Sequence, residues 1–307
     1  MAECLLKISE HKLDIALRFN KDMLVLSGSV EAGLKHQDFD IENNLDIANI
    51  LEPDTIKDVL RPYTVAGAQC IVSNTKNLLK AVLSHQKLDN RIEELASASL
   101  RISNSLNPQH VIVELGNCGL PLDDQSKNSL IEFKEQYVFS GRIFEKLSKS
   151  QDCTFDAYFL SGFYSISNMK CALMGLRQVS DKPVFVSVEL DKDGRLNSKE
   201  DIYDYANFLQ EYGATVAGIK IKDGCDIALK LCKRLRAGCD LPILVEFDVS
   251  KNQDTPYYYP DSMKEACIYA NKGGAQFLRA TGQATPAYTS VLSAYSSQMP
   301  INFKIGI

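Results

Sequence analysis

Three short apolar runs in the C-terminal half of this sequence carry charge where a strand would be expected to end. AGIKIKDG holds Lys220 and Lys222, PILVEFDV holds Glu246 and Asp248, and AQFLRATG holds Arg279 and Thr281. Side chains alternate along a strand, so Lys220 and Lys222 share one face, as do Glu246 and Asp248. Adjacent parallel strands lie about 4.8 Å apart, so Lys220 is expected to pair with Glu246 or Asp248. Pointing inward together, these groups would balance as a desolvated ion cluster. One chemistry for such a cluster is a structural network that fills the centre of a site. Another is a polar pocket for an anionic or carbonyl substrate, with Lys220, Glu246 and Asp248 as candidate catalytic residues. A third is a Schiff-base lyase using Lys220, which needs a depressed lysine pKa and a supporting tyrosine motif that this sequence lacks.

Other polar residues stand at the ends of neighbouring apolar runs. Ser27, Gly28, Ser73, Asn74, Asn117, Ser161, Glu189, Arg279 and Thr281 form the candidate substrate-binding set, with Thr75, Cys118 and Glu114 nearby. Ser73-Asn74-Thr75, Asn117 and Cys118 are equally suited to capping the helices that follow them. Thr281-Gly282-Gln283 lies just past the last apolar run and offers neither a strong metal ligand nor a base.

The elements that would position these residues are legible. Strands are expected at 23–28, 69–74, 110–116, 157–162, 183–190, 214–221, 242–249 and 275–282. Helices are expected over Asp54–Val65, Gln125–Lys149, Ser165–Val179, Ser198–Tyr212, Asp223–Leu235, Asp261–Asn271 and Thr285–Tyr295. TVAGAQCIV, EYGATVAGI and NKGGAQFLR each place glycine where a helix hands over to a strand. Eight strands with seven helical crossovers and a closing helix describe a single (β/α)8 TIM barrel. An open doubly wound sheet would carry a glycine-rich phosphate loop after the first strand, and Ser27-Gly28-Ser29-Val30-Glu31 is not one. Residues 1–22 are expected as an amphipathic flanking helix at the barrel bottom and 23–307 as the barrel. The acidic connection from Val30 to Pro53 is expected at the rim of the mouth.

Composition narrows the function further. The 307 residues carry a formal charge of −5, which disfavours sequence-independent nucleic-acid binding. No apolar run approaches the ~20 residues that span a bilayer, and MAECLLKISEHKLD does not read as a secretory signal. Nine cysteines without a CxxC pair read as reduced thiols of a cytoplasmic protein. The four histidines fall in the first 110 residues, so no histidine-rich metal site is expected beyond them. Tyr257, Tyr258 and Tyr259, set between prolines, suggest a lid over the mouth or a surface for a partner.

Read in order, the strand ends resemble those of the homocysteine S-methyltransferase family. PDTIKDVLRPYTVAGAQCIVSNT is similar to its second βα unit, with Ser73-Asn74-Thr75 in place of a Thr-Asn-Thr-like ending. SISNMKCALMGLRQVSDKPVFVSVELDKDGRL resembles its fourth helix, fifth strand and Asp-Gly-Arg turn. LPILVEFDVS stands where the family has an apolar strand ending in Pro-Asn-Ala-Gly, and GAQFLRATGQATPAY where it has Gly-Gly-Cys-Cys-Gly-Thr-Thr-Pro. The resemblance spans about Leu24 to Tyr295.

That resemblance implies a zinc ion held by three thiolates, one at the end of strand six and two after strand eight, which turns homocysteine into a thiolate. In this sequence those positions are Ile221, Thr281 and Gly282, and no zinc is expected. Cys225, on the following helix, is read as an ordinary thiol. The family's Asp after strand one and Glu on strand four are Ser27 and Ser161, so homocysteine is not expected as the substrate. The resemblance then implies zinc-independent methyl transfer involving a different small molecule. No cofactor is expected on the barrel itself, the methyl group being exchanged with a corrinoid or methyl-pterin carried by a partner protein. The competing readings are a non-catalytic binding or scaffold subunit and the Lys220 lyase.

Overall fold

The computed structural model describes residues 14–19, 21–37, 39, 45–222, 224–252, 255–256 and 259–302. Its centre is a closed barrel of parallel strands: β1 (Leu24–Leu26), β2 (Cys70–Val72), β3 (His110–Leu115), β4 (Ala157–Leu160), β5 (Val184–Glu189), β6 (Val216–Ile221), β7 (Ile243–Asp248) and β8 (Ala275–Thr281). They follow one another around the barrel in chain order, and β8 closes back on β1 with Leu26 opposite Arg279. All eight fall within the segments expected from sequence, so the chain is a (β/α)8 barrel. A two-residue hairpin, Lys251–Asn252 with Thr255–Pro256, follows β7.

The first two crossovers are elaborate. α1 (Val30–Lys35), α2 (Ala48–Leu51) and α3 (Pro53–Val65) join β1 to β2, and α4 (Lys80–Ser84) and α5 (Ile92–Ser105) join β2 to β3. Each later strand is followed by one long helix: α6 (Lys127–Leu147), α7 (Ile166–Arg177), α8 (Ile202–Glu211), α9 (Cys225–Gly238), α10 (Met263–Lys272) and α11 (Pro286–Ser296). Their start signals are local. The Ser126 and Ser165 side chains accept from the first-turn amides of α6 and α7, and Asp201 forms a capping box with Asp204 on α8. Pro53 and Pro286 open α3 and α11, where a missing N–H costs nothing. The helix-to-strand turns rely on glycine: Gly213 and Gly274 sit at φ +79° and +86°, a region that a Cβ disfavours.

Inside the barrel, alternation sorts side chains by height. The lower layers are apolar, with Phe159, Phe185, Leu244 and Phe277 in one cluster and the Phe185 and Phe277 rings edge to face at 4.8 Å. Ile15, fully buried, joins this cluster, and Phe19 meets Phe277 edge-on at 5.6 Å. Ile15 and Phe19 therefore close the barrel bottom. The described residues here include a 3-10 turn, Ile15–Arg18; the rest of the helix expected over 1–22 falls largely on residues 1–13 and 20, which lie outside the described residues. Among the described residues no helix is long and apolar enough to cross a membrane.

Candidate functional site

Above the apolar layers, the same inward phase of the strands becomes charged. Glu189, Lys220, Glu246 and Arg279 stand in register across β5, β6, β7 and β8, so charge alternates along four neighbouring strands at one height. Arg279 is the centre of the layer. Its Nη1 lies 3.1 Å from Glu246 Oε2, its Nη2 lies 3.4 Å from Glu114 Oε2 across the barrel, and its Nε donates to the Ser27 carbonyl at 3.0 Å. The guanidinium also lies 5.3 Å from the centre of the Phe159 ring, at the boundary with the apolar layers. The remaining carboxylate oxygens are satisfied by hydroxyls: Ser161 donates to Glu114 at 2.5 Å and Ser187 to Glu246 at 2.6 Å. Burial works to raise the Glu114 pKa, but the charges of Arg279 and Lys76 and the Ser161 hydroxyl outweigh it and hold the acid below its ordinary value.

One step higher, Lys220 donates to Asp248 at 2.7 Å and lies 3.7 Å from Glu189, while Lys222 reaches Glu189 at 2.6 Å. Of the two expected partners of Lys220, the structure selects Asp248. Glu246, although opposite Lys220 in register, is taken by Arg279 and Ser187, and barrel strands tilt so that a side chain leans toward a higher position on its neighbour. Burial opposes the Lys220 charge, yet Asp248 and the neighbouring carboxylates raise its pKa above the ordinary lysine value. A Schiff-base nucleophile needs the opposite shift. The same pairing, against the pull of burial, lowers Asp248.

These groups floor a cavity of about 280 Å³ at the C-terminal ends of the strands, where barrels of this architecture place their sites. Its wall includes Gly28, Ser73, Asn74, Lys76, Ser161, Gly162, Tyr164, Ser187, Glu189, Asn197 and Thr281. Val30, Glu31 and Leu45 also line it, so the connection after β1 does form part of the rim. Not every expected binding residue presents its polar atoms there. The Ser27 hydroxyl accepts from the Val72 amide, and its side chain does not line the cavity. Asn117 also lies outside it and caps the Gly119 amide. Ser73 lines the cavity while its hydroxyl donates to the Ile112 carbonyl and meets Thr75. The Asn74 amide donates to the Leu45 carbonyl and to Asn49, fastening the rim to the end of β2. Tyr257 and Tyr258 lie outside the described residues; Tyr259 is exposed.

Sequence reasoning placed Glu114 on β3 but left it out of the binding set, and it missed Ser187 and Lys76. Ser187 was reachable, since it shares the inward phase of Phe185 and Glu189. Lys76 follows Ser-Asn-Thr in an irregular stretch where no period applies.

The positions at which the resemblance implies zinc thiolates can be tested directly. Ile221 is buried in the cluster formed with the outer helices, Thr281 is a hydroxyl, and Gly282 has no side chain. A Cβ at Gly282 would lie 2.1 Å from Asp248 Oδ1 and 2.5 Å from Ser250 Oγ, and the residue sits at φ +70°. A ligand side chain there would collide with the partner of Lys220. Zinc's soft, near-tetrahedral donor set is not fitted by these residues. Among the described residues, no three His, Cys, Asp or Glu side chains group as metal ligands.

Fold and mouth together define a barrel with an ion-paired C-terminal face, and comparison assigns its lineage. Residues 24–291 match the family description Homocysteine S-methyltransferase, and the chain belongs to that family. Among solved structures it is similar to the homocysteine methyltransferase MmuM from Escherichia coli. The metallated form shares 17% identity at TM-score 0.73, covering 92% of this chain and 99% of that one. The oxidized form shares 16% at 0.76, covering 92% and 98%. The carboxyl transferase domain of Rhizobium etli pyruvate carboxylase, in a Y628A form with pyruvate, is a more distant likeness at 14% identity and TM-score 0.55, covering 94% of this chain and 51% of that one. Comparison with curated proteins finds no match.

Proposed function

We propose that this protein is a zinc-independent methyltransferase of its family, acting on a small polar molecule other than homocysteine. The methyl group is exchanged with a corrinoid or methyl-pterin held by a partner protein. One observation carries the reading: the Lys220–Asp248 ion pair, with Gly282 packed against it, stands beside the positions where a family zinc site would need its thiolates. Family membership supports methyl transfer. Without a metal to form a thiolate, the acceptor must be nucleophilic at neutral pH or must be presented to a strongly activated methyl donor. The mouth can bind and orient such a molecule, because its floor is held rigid by groups that are already paired.

The test uses protein passed over a chelating resin, with methylcobalamin or methyltetrahydrofolate bearing a labelled methyl group. The acceptors are homocysteine and a small-molecule extract from the cells in which the protein is made. The expected result is zinc far below one per chain, no label in homocysteine, and label in a small polar product. Zinc-dependent methylation of homocysteine would overturn the reading, as would the absence of label transfer from either donor.

A further inference from the structure

Among the described residues at the mouth, three strand-end cations are engaged. Arg279 holds Glu114 and Glu246, Lys220 holds Asp248, and Lys222 holds Glu189. A further cation, Lys76, borders the main cavity and also the neighbouring cleft toward Gly282. Among the described residues its ammonium has no hydrogen-bond or ion-pair partner. Its course is nevertheless built. The Lys76 carbonyl accepts from the Gly116 amide at 2.7 Å, which ties its backbone to the end of β3. A Cβ at Gly116 would meet the lysine stem at 3.0 Å, and one at Gly162 would meet Lys76 Cε at 3.8 Å. Gly116, after β3, thus leaves room for the stem to cross toward the cavity, while Gly162, after β4, lies at ordinary contact distance from its end and stands at φ +73°, where a side chain is strained. The result is one charge-bearing donor, directed by the fold and without a direct partner among the described residues, its field felt by Glu114, beside a cavity whose other described cations are in ion pairs.

We propose that Lys76 binds the carboxylate of a small monocarboxylic acid, which is the substrate class of this mouth. The inference rests on the reading above that the mouth takes a small polar molecule. The chemistry selects the class in three ways. A lone ammonium suits a single carboxylate, whereas a phosphate dianion calls for a fork or a ring of donors. Glu114, buried below and kept ionised by Arg279 and Lys76, repels a second negative charge. The cavity, at about 280 Å³, lies under the ~300–1,000 Å³ typical of pockets for drug-sized ligands, so the acid is short. The far end of such a molecule would face Asn197, whose amide can donate or accept, and Glu189, whose carboxylate accepts.

The experiment is an NMR titration of the full chain with acetate, glycolate, butyrate and 3-(methylthio)propanoate, and with inorganic phosphate for comparison. Amide shifts of Gly28 and Gly162 report occupancy of the mouth independently of Lys76. At least one carboxylate should shift them in the parent protein. Lys76→Met should weaken that acid by roughly 5- to 10-fold, the size of one charge-assisted contact, while Lys76→Arg retains most of the affinity. Lys76 is exposed, so both variants should melt like the parent, which separates binding from folding. Equal affinity in Lys76→Met would overturn the inference while leaving occupancy of the mouth, and hence the methyltransferase reading, standing. Stronger shifts with phosphate than with any carboxylate would also overturn it. So would an absence of shifts with every probe, in which case the label-transfer assay judges the methyltransferase reading separately.

Discussion

Two regions of the upper barrel bury carboxylates to a similar depth and treat them in opposite ways. At the mouth, Glu114, Glu246 and Asp248 each reach a cation. In the rim above β2, Asp46 is just as buried but among the described residues meets only amides, with the Asn77 Nδ2 donating at 3.3 Å and Gln86 nearby. The pKa values divide accordingly. Burial pushes Asp46 up to about 6, which its amide donors only partly oppose, whereas cations overcome the same burial at Glu114 and Asp248 and hold them below their ordinary values. Burial alone, then, does not set the state of an acid here; the nearest cation does. Glu114 and Asp248 are held ionised, and Asp46 sits closer to neutralisation.

The sharpest way to break this contrast is to remove the cation at its centre. Arg279→Met leaves Glu114 and Glu246 buried without their counter-charge, and stranding one member of a buried ion pair costs roughly 3–5 kcal/mol. The triple change with Glu114→Gln and Glu246→Gln should restore most of that loss, because the amides need no counter-charge. Denaturant melts of the three proteins decide the matter. A triple variant no more stable than Arg279→Met would mean that the guanidinium acts through packing on Phe159 rather than through charge.

The rim supplies the second test, with the opposite sign in pH. Asp46 titrates at about 6 in the folded protein against 3.8 unfolded, so the folded state binds the extra proton between those values. The stability that this proton contributes is complete below 3.8 and is lost as pH rises through 6. The slope approaches 1.4 kcal/mol per pH unit, about 3 kcal/mol in total. Glu114 and Asp248 run the other way: their contribution is present above the ordinary carboxylate range and disappears as pH falls through their lowered values. The parent should therefore gain stability from pH 7 to about 4.5 and lose it on further acidification. Asp46→Asn should abolish the gain and leave the loss. An unchanged profile in the variant would show that the rim opens and hydrates Asp46.

These contrasts mark how far the sequence could be read. Strand positions followed from apolar runs bounded by glycine and proline, and the inward phase of β6, β7 and β8 followed from alternation, which is why Lys220, Asp248 and Arg279 could be named in advance. Partner choice could not be read in the same way. Glu114 reaches Arg279 across the barrel from a strand far away in the chain, and no local period records closure. The hydroxyls of Ser27 and Ser73, and the Asn74 amide, looked like binding groups by position, yet they are hydrogen-bonded within the protein, to backbone of neighbouring elements and to the Thr75 and Asn49 side chains. Asp46 and Lys76 lie in irregular connections, where neither a period of two nor of 3.6 fixes direction.

The smallest expected effect concerns which acid belongs to Lys220. Register places Glu246 opposite it, whereas the observed contact is with Asp248 at 2.7 Å. A double-mutant cycle separates the two. Lys220 keeps 30% of its side-chain exposure, so water and Glu189 soften the loss, and Lys220→Met should cost about 1–2 kcal/mol rather than the full penalty of a dry pair. Asp248→Asn should cost a similar amount, since Ser250 still has an oxygen to donate to. If the pair is the unit, Lys220→Met with Asp248→Asn should fall short of the sum of the single changes by roughly 1 kcal/mol. Lys220→Met with Glu246→Gln should be additive within the usual ~0.3–0.5 kcal/mol, because Glu246 answers to Arg279 and Ser187. Coupling that appears with Glu246 instead would mean that the register neighbours interact directly in solution. The Lys220–Asp248 pair would then not be the unit that holds this part of the mouth, although Gly282, at φ +70° and packed against Ser250, would still exclude a side chain.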